Sequence, residues 1–532
     1  MKRLIIYVLV PCSIFLMNAC SKSFLDEHLV STYAPQNTLK DSLGFDAAIV
    51  GLMNLVRTQY TYAGDQGLIC TMYIGTDECE MTTPAAATTA MFPYVQYNTM
   101  NSQDGAASYY WSWAYRVINN ANQIIQAIED PGLTGVTQTD KNRIDGEARF
   151  YRAYAYEFLN TLWGDVPLVD KPVTTARTDF TRTPTDSIIQ FIIQDLKFAE
   201  ANLPDPDFWI SIHQEDRMNK YAAMQLLAEV YLRANQPALA KQECLNIINS
   251  GKFALITQRY GVKKNQPGDP FSDMFVMGNE RRSQGNTEAI WVIEEEHNVP
   301  GGSTGSDQHR RVWVTAYYNI PGMVICDSLG GRGIGRMRLT NYALYGIFDT
   351  GDMRNSPYNI RRALYYNDPS SPKFGQRVIL TGTDTMQKSA PYLTKWNSFY
   401  PDDIFGYSTD KDLIMMRLGE TYLLLAEAQF KLGDLAGAAN SINVLRQRAH
   451  TSLIQPADVT LDFILDERLR ELMGEENRRM TLVRTGKLVE RVKKYGETTA
   501  AQTIQNYNAL LPIPQSEIDL NKSAVLAQNP GY

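Results

Sequence analysis

Beyond its first residues this chain has no apolar run close to the ~20 residues that a membrane-crossing helix requires. Histidine and cysteine are scarce, with five and six among 532 residues. The histidines do not cluster with the cysteines, and Cys70, Cys79, Cys244 and Cys326 show no zinc-ligand spacing, so no metal site is expected. Positive charge is not in excess either: 51 Lys and Arg face 58 Asp and Glu, a formal charge of −7. An acidic body without a basic patch speaks against nucleic acid as a partner. Enzyme signatures are missing as well. The glycine-rich stretch 330–336 (GGRGIGR) lacks a GK[ST] ending and is not G-x-G-x-x-G, so it reads as a flexible loop at a ligand site rather than a phosphate cradle. No G-x-S-x-G occurs, and nothing marks a catalytic triad.

What is present begins at the N-terminus. Lys2 and Arg3 precede an apolar run over 4–16, then the small-residue approach Asn18-Ala19, Cys20 and the polar stretch SKSFLDEH. A secretory signal ends in small residues at its cleavage site, and a cysteine directly after that site is the layout of a bacterial lipoprotein signal. The expectation is a signal peptide over 1–19, lipidation of Cys20 and a tether over 20–40. An ordinary signal peptide or an uncleaved anchor is the alternative. Several acyl chains on one cysteine would hold the body firmly at a membrane. Cys12 leaves with the signal. Cys70 and Cys79 either pair across a short loop in an oxidising compartment or remain buried thiols.

A hydrophobic content of 44% and a charged content of 20% are those of a chain that buries a large core. Helical periodicity runs over 41–57. The stretch 59–104, rich in Thr, Gly, Ala, Pro and Tyr, lacks it and reads as a long loop, a feature that is often functional. Helix returns in AASYYWSWAYRVINNANQIIQAIED, where Tyr110, Trp113, Val117, Ala121, Ile124 and Ile128 share one face. A further helix over 143–160 carries Ile144, Ala148, Tyr151, Ala155 and Phe158 on one stripe. The pairs Arg143–Glu147 and Asp145–Arg149 are expected on its outer side. Gly164 and Pro167 end it.

Two segments share a pattern. Leu227, Ala228, Tyr231, Ala240 and Ile247 occupy the large and small positions of a tetratricopeptide helix pair, and Leu425, Ala426, Gln429, Ala438 and Leu445 hold the same offsets. A helical-repeat scaffold follows, although the repeats are not contiguous. Between them, over 253–410, strand-like runs (AIWVIEEE, RVWVTAYY, RVIL) alternate with turn residues, which predicts a loop-rich insertion with small sheets. The fold class expected is mainly α, a tetratricopeptide-like scaffold whose insertion forms the ligand face. Its segments are 41–252, 253–410 and 411–532, folded as one unit.

Carboxylates invite a glycosidase reading through Glu294, Glu295 and Glu296 and the acids of ILDERLREL. That chemistry needs two carboxyl groups converging on one bond, and these read instead as solvated faces and ion pairs such as Asp466 with Arg470. The aromatic loops are the stronger signal. There are 30 Tyr, 19 Phe and 7 Trp, and aromatic faces that stack on sugar rings beside a few polar groups make a normal ligand site.

Seven ordered motifs carry a resemblance: FLD after the cysteine, YRVINNANQII, GEARFYRAYAYEFLNTLWGDVPLV, YAAMQLLAEVYL, LIMMRLGETYLLLAEAQFKLGD, ILDERLRELMGEENRRMTLVR and LLPIPQSEIDLNKSAVLAQNPGY. Together they resemble the SusD/RagB family of outer-membrane nutrient-binding lipoproteins, across nearly the whole chain. The resemblance implies four tetratricopeptide-like helix pairs under a loop-rich ligand face. It also implies glycan capture at the cell surface, delivery to a SusC-like TonB-dependent transporter, and neither catalysis nor cofactor. A surface glycoside hydrolase, a structural transporter lid and a peptide-binding member are the alternatives. Binding residues vary among members and do not transfer. Loop position and chemistry nominate Tyr73, Asp77, Tyr94, Tyr97, Trp313, Tyr317 and Tyr318. Composition leans against a strongly acidic polysaccharide, whereas the local patch Arg332, Arg336 and Arg338 runs the other way.

Overall fold

The computed structural model describes residues 38–61 and 64–532. The signal segment, Cys20 and most of the tether lie outside the described residues. Eleven helices of seven residues or more carry the described architecture: α1 (Ser42–Arg57), α2 (Gly105–Ile128), α3 (Gln138–Trp163), α4 (Thr185–Asn202), α5 (Lys220–Arg233), α6 (Pro237–Asn249), α7 (Leu418–Lys431), α8 (Leu435–Arg448), α9 (Leu461–Leu472), α10 (Arg478–Arg484) and α11 (Leu488–Tyr495). Their starts are written in the sequence. Asp41, Asp104, Thr137, Asn219, Asp434, Thr460 and Asn477 each accept a hydrogen bond from a first-turn N–H of the following helix. Such caps satisfy donors that have no partner inside the helix.

From α1 to α8 the helices form a row in which each packs on its neighbour, and α9 closes onto α7. The tetratricopeptide positions meet inside it. Ala228, Ala240, Ala426 and Ala438 are fully buried, and their single methyls let paired helices approach closely. A leucine at any of them would overpack the seam at a cost of about 1–3 kcal/mol. The row also explains how non-contiguous repeats make one scaffold: α6 packs directly on α7, although some 170 residues separate their ends. The intervening chain leaves the row and returns to it. Its base is clamped where β2 (Ala289–Ile293) pairs antiparallel with β6 (Leu413–Arg417), the strand that runs straight into α7.

The other sheets are as small. β1 (Cys79–Met81) pairs with β3 (Met337–Leu339), and β4 (Ile360–Arg361) with β5 (Tyr392–Leu393). Two runs read as strand-like are not strands. In 311–318 the backbone closes a helical turn at His309–Trp313 and a 3-10 turn at Tyr317–Asn319. In 377–380 one isolated bridge, Tyr365 to Arg377, is all that forms. Packing overrides β propensity there, because the alternation serves a folded loop rather than a sheet.

The segment 59–104 departs most from expectation. It is not a loose surface loop but a mostly buried run of short turns, 3-10 helices and β1, lying beneath α10 and the insertion. Its irregular backbone is satisfied by side chains: Thr82 Oγ1 donates to Gly335 O at 2.6 Å, and Arg479 donates to the carbonyls of Thr71 and Ile74. Gly75, at φ +64°, has no room for a Cβ, which would fall 1.7 Å from Tyr94 O. Cys70, Cys79 and Cys244 are buried free thiols, and Cys326 is a half-buried one.

The expected ion pairs of α3 form, Arg143–Glu147 at 3.3 Å and Asp145–Arg149 at 2.7 Å. Glu147 and Asp145, however, are buried rather than on an outer face, because α4 and the 214–217 turn cover them. At its far end α3 stops at Gly164 (φ +72°), and the C-terminal tail seals it: Trp163 Nε1 donates to Pro512 O at 2.8 Å, and Leu511 N to Leu162 O at 2.7 Å. Among the described residues no helix is long and apolar enough to cross a membrane.

Candidate ligand-binding face

The insertion carries a small core of its own, built around Val314, Tyr317, Ile320, Leu364, Tyr366 and Tyr392. Its inner side is fastened to the scaffold through ring side chains. His309 lies 3.8 Å from Trp396, centroid to centroid, while its Nδ1 meets Asp307 and Trp396 Nε1 donates to Gly474 O at 3.0 Å. Trp313 meets Tyr73 edge-on at 5.4 Å.

These contacts decide the fate of most nominated residues. Tyr73, Asp77, Tyr94, Tyr97, Trp313 and Tyr317 are all buried, packed inside the fold. Tyr94 donates to Asp104, Tyr97 to Gly75 O at 2.6 Å and Tyr317 to Gly331 O at 2.8 Å, and Arg479 lies over both Tyr94 and Tyr97. Asp77 accepts from Arg478 and Arg491 at 2.6–2.8 Å. Burial pushes its carboxyl up, but Arg478 and then Arg491 outweigh burial and hold it below the ordinary carboxylate range. The physical reason for their burial is common to all six. They sit in segments without helical period, yet those segments are clamped between the scaffold and the insertion. Tyr318 alone reaches the surface, half-buried.

The exposed rings lie elsewhere. Seven Phe or Tyr side chains among the described residues are exposed, and six of them fall between 345 and 407: Tyr345, Tyr358, Tyr365, Phe374, Phe405 and Tyr407. Two sit in turn-rich sequence, FGYS within PDDIFGYS. That was the available signal, since an aromatic among Pro, Asp and Gly has no regular buried face to join.

Around Tyr407 the surface is built from three chain segments. The guanidinium of Arg332 lies 4.7 Å from the Tyr407 centroid and 5.7 Å from that of Tyr318, and Arg311 lies 4.6 Å from Tyr407. The glycine-rich loop puts Arg332 there. Ile334 N and Gly335 N donate to Arg311 O, and a Cβ on Gly333 would strike Val314 O at 1.9 Å. Of the remaining patch, Arg336 turns inward to Gln66 and Ala86 O, and Arg338 approaches Glu497 at 3.5 Å.

The carboxylates of the hydrolase reading are engaged. Glu294 and Glu296 both meet Arg281 at 2.8 Å, whereas Glu295 is buried against Arg57 at 3.5 Å. Burial lifts Glu294 and Glu295 to about 8 despite those arginines. Asp466 does not pair with Arg470 as the spacing suggested. It accepts from Tyr342 and Arg491, and Arg470 turns to Glu467 at 2.8 Å. Among the described residues no group of three His, Cys, Asp or Glu side chains is placed to hold a metal.

Two family models match the chain: one described as the SusD family over 366–532, and one described as starch-binding associating with the outer membrane over 51–232. Together they cover more than half of it. The chain belongs to the SusD family. The SusD-like protein P25 of Formosa agariphila is 25% identical to it, over 100% of this chain and 99% of that protein. The starch-binding protein SusD of Bacteroides thetaiotaomicron is 33% identical over 32% of this chain and 31% of its own length. A solved laminarin-binding SusD-like protein shares the fold at 22% identity and a TM-score of 0.69, covering 93% of this chain and 100% of that one. The mainly α, tetratricopeptide-like architecture is thus that of the SusD family.

Proposed function

We propose that this protein binds glycan on the exposed aromatic face of its insertion and passes it to a partner SusC-like TonB-dependent transporter, without catalysis. The observation that carries the reading is the segregation of exposed rings. Among the described residues the scaffold leaves one aromatic exposed, Phe208, while the insertion displays six. Flat, exposed rings beside arginine and main-chain polar groups suit the C–H faces and hydroxyls of sugars. Named glycan binders among its structural and sequence relatives support the same ligand class. Lipid on Cys20 would hold this face at the outer-membrane surface. The broad helical row, which carries few exposed aromatics, is the surface proposed for the transporter.

The test is calorimetry and affinity electrophoresis of the mature protein over a broad panel of polysaccharides. Saturable binding that weakens in Tyr407→Ala supports the reading. Absence of binding across the panel would favour a structural lid. Release of reducing ends by clean protein would instead restore the hydrolase alternative. For the tether, Cys20→Ala is expected to leave the outer-membrane fraction in cells lacking the transporter, and its retention there would remove lipid anchoring.

A further inference from the structure

Arg311 is 2% exposed, and its side chain donates no hydrogen bond; its Nε and Nη1 are buried without a partner. Every other buried arginine among the described residues donates at least one. A buried guanidinium left unpaired is costly, and chains rarely tolerate it without use. Next to it stands a second cation, Arg332, whose side-chain hydrogen bonds go to the Phe405 carbonyl and to Tyr318 and Tyr407. No salt bridge to either arginine forms among the described residues. What surrounds them is aromatic: both guanidinium groups lie against the ring of Tyr407, which is 61% exposed, and Arg332 also faces Tyr318. Burial first, then repulsion from Arg332, pulls Arg311 down to about 10, while Tyr318 and Tyr407 push the other way. Arg310, the third cation nearby, donates from Nη1 and Nη2 to the carbonyls of Ser398, Gly406 and Ser408, and its Nε has no partner.

We infer that Arg311 and Arg332, with Tyr318 and Tyr407, form a subsite for an anionic substituent, a carboxylate or a sulfate ester, carried on a sugar ring. The inference rests on the glycan-binding reading and narrows it to acidic glycans. An oxyanion has what the site lacks: acceptors for the unused N–H donors and a charge that relieves the repulsion between two neighbouring guanidinium groups. Tyr407 supplies the stacking face for the ring that bears the substituent. The glycine loop matters because only close backbone approach at Gly333 brings Arg332 against Arg311. The net acidity of the chain then limits non-specific attraction of polyanions to the rest of the surface.

The experiment compares full mature protein with Arg332→Ala and Arg311→Gln by calorimetry, using laminarin as neutral probe, polygalacturonate as carboxylate probe and κ-carrageenan as sulfate probe. The expected result is binding of at least one acidic probe, roughly tenfold weaker in Arg332→Ala and falling as salt rises. Because Arg311 makes no hydrogen bond to lose, Arg311→Gln should weaken the same binding with a melting temperature equal to the parent or higher. Which of the two acidic probes binds tells carboxylate from sulfate. Binding of neutral glycan alone, unchanged in both variants, overturns the subsite and leaves the glycan reading standing. Binding of an acidic probe that neither variant weakens also overturns it. If no glycan of the wider panel binds, both readings fall.

Discussion

Arginines packed beneath α9 and arginines at the tip of the insertion are treated differently, and the contrast separates structural duty from ligand duty. Beneath α9, Arg354, Arg417, Arg446 and Arg448 interlock with Glu288, Glu467 and Glu471 at distances of 2.6–3.3 Å. Glu471 answers Arg354, Arg417 and Arg448 at once. Burial pushes its carboxyl up, but the three cations, Arg448 first, hold it well below the usual range. In that network anions and cations alternate, and of its four arginines only Arg448 keeps a buried nitrogen, Nε, without a partner. At the tip of the insertion, Arg311 and Arg332 have aromatic rings where that network has carboxylates. Against a ring as exposed as Tyr407, cation–π contact is worth only about 0.5–1 kcal/mol. It leaves the N–H edges unspent, whereas a bidentate carboxylate uses them.

The sharpest way to break the contrast is to open the network beneath α9. Glu471→Ala leaves three buried guanidinium groups short of an anion and is expected to cost about 3–5 kcal/mol, read as a lower urea midpoint. A change under about 1 kcal/mol would show that the network is no more structural than the insertion pair. Next in size, Tyr407→Ala should weaken glycan binding on the order of tenfold while the melting temperature stays where it was. A matching loss of stability would move Tyr407 to the structural class.

A smaller effect tests burial itself in the 59–104 segment. Glu78 accepts from Gly474 N at 2.7 Å, but its other oxygen is buried without a partner. Burial, opposed by Arg478, raises its carboxyl from 4.5 to about 8. A raised folded value means that the unfolded chain releases a proton that the folded chain keeps. Stability from this group therefore falls as pH rises from about 4.5 to 8. Glu471, with its depressed value, adds no slope there, because its contribution is complete above its unfolded value and is lost only on acidification. Glu78→Gln should thus gain on the parent between pH 5 and pH 8, as ~pH points spanning that window. Equal midpoint differences at both would break the argument. Smallest of all, Arg177→Ala removes an exposed pair with Asp179 at 2.9 Å and should leave the melting curve unchanged.

Much of the scaffold was legible in the residues. Helical periodicity placed α1, α2 and α3, and small residues at Ala228, Ala240, Ala426 and Ala438 marked where helices touch. The site was legible only as a neighbourhood. Of seven nominated residues, Tyr318 alone reaches the surface, because loop sequence says that a backbone is irregular without saying which side of it meets water. Tyr407 and Phe405 carried a usable cue in PDDIFGYS, but Arg311 sat in a run that read as strand and carried none.

What sequence alone determined is therefore what depends on neighbours along the chain: caps, helix faces, helix ends and the family pattern those repeats carry. Tertiary structure decided what depends on residues far apart. The pairing of β2 with β6, the burial of 59–104 under α10, the choice of Arg491 over Arg470 as partner for Asp466 and the meeting of Arg311, Arg332 and Tyr407 all join segments with no local signal. Whether a guanidinium finds a carboxylate or a ring is settled by what the fold brings within reach, and no spacing rule encodes that.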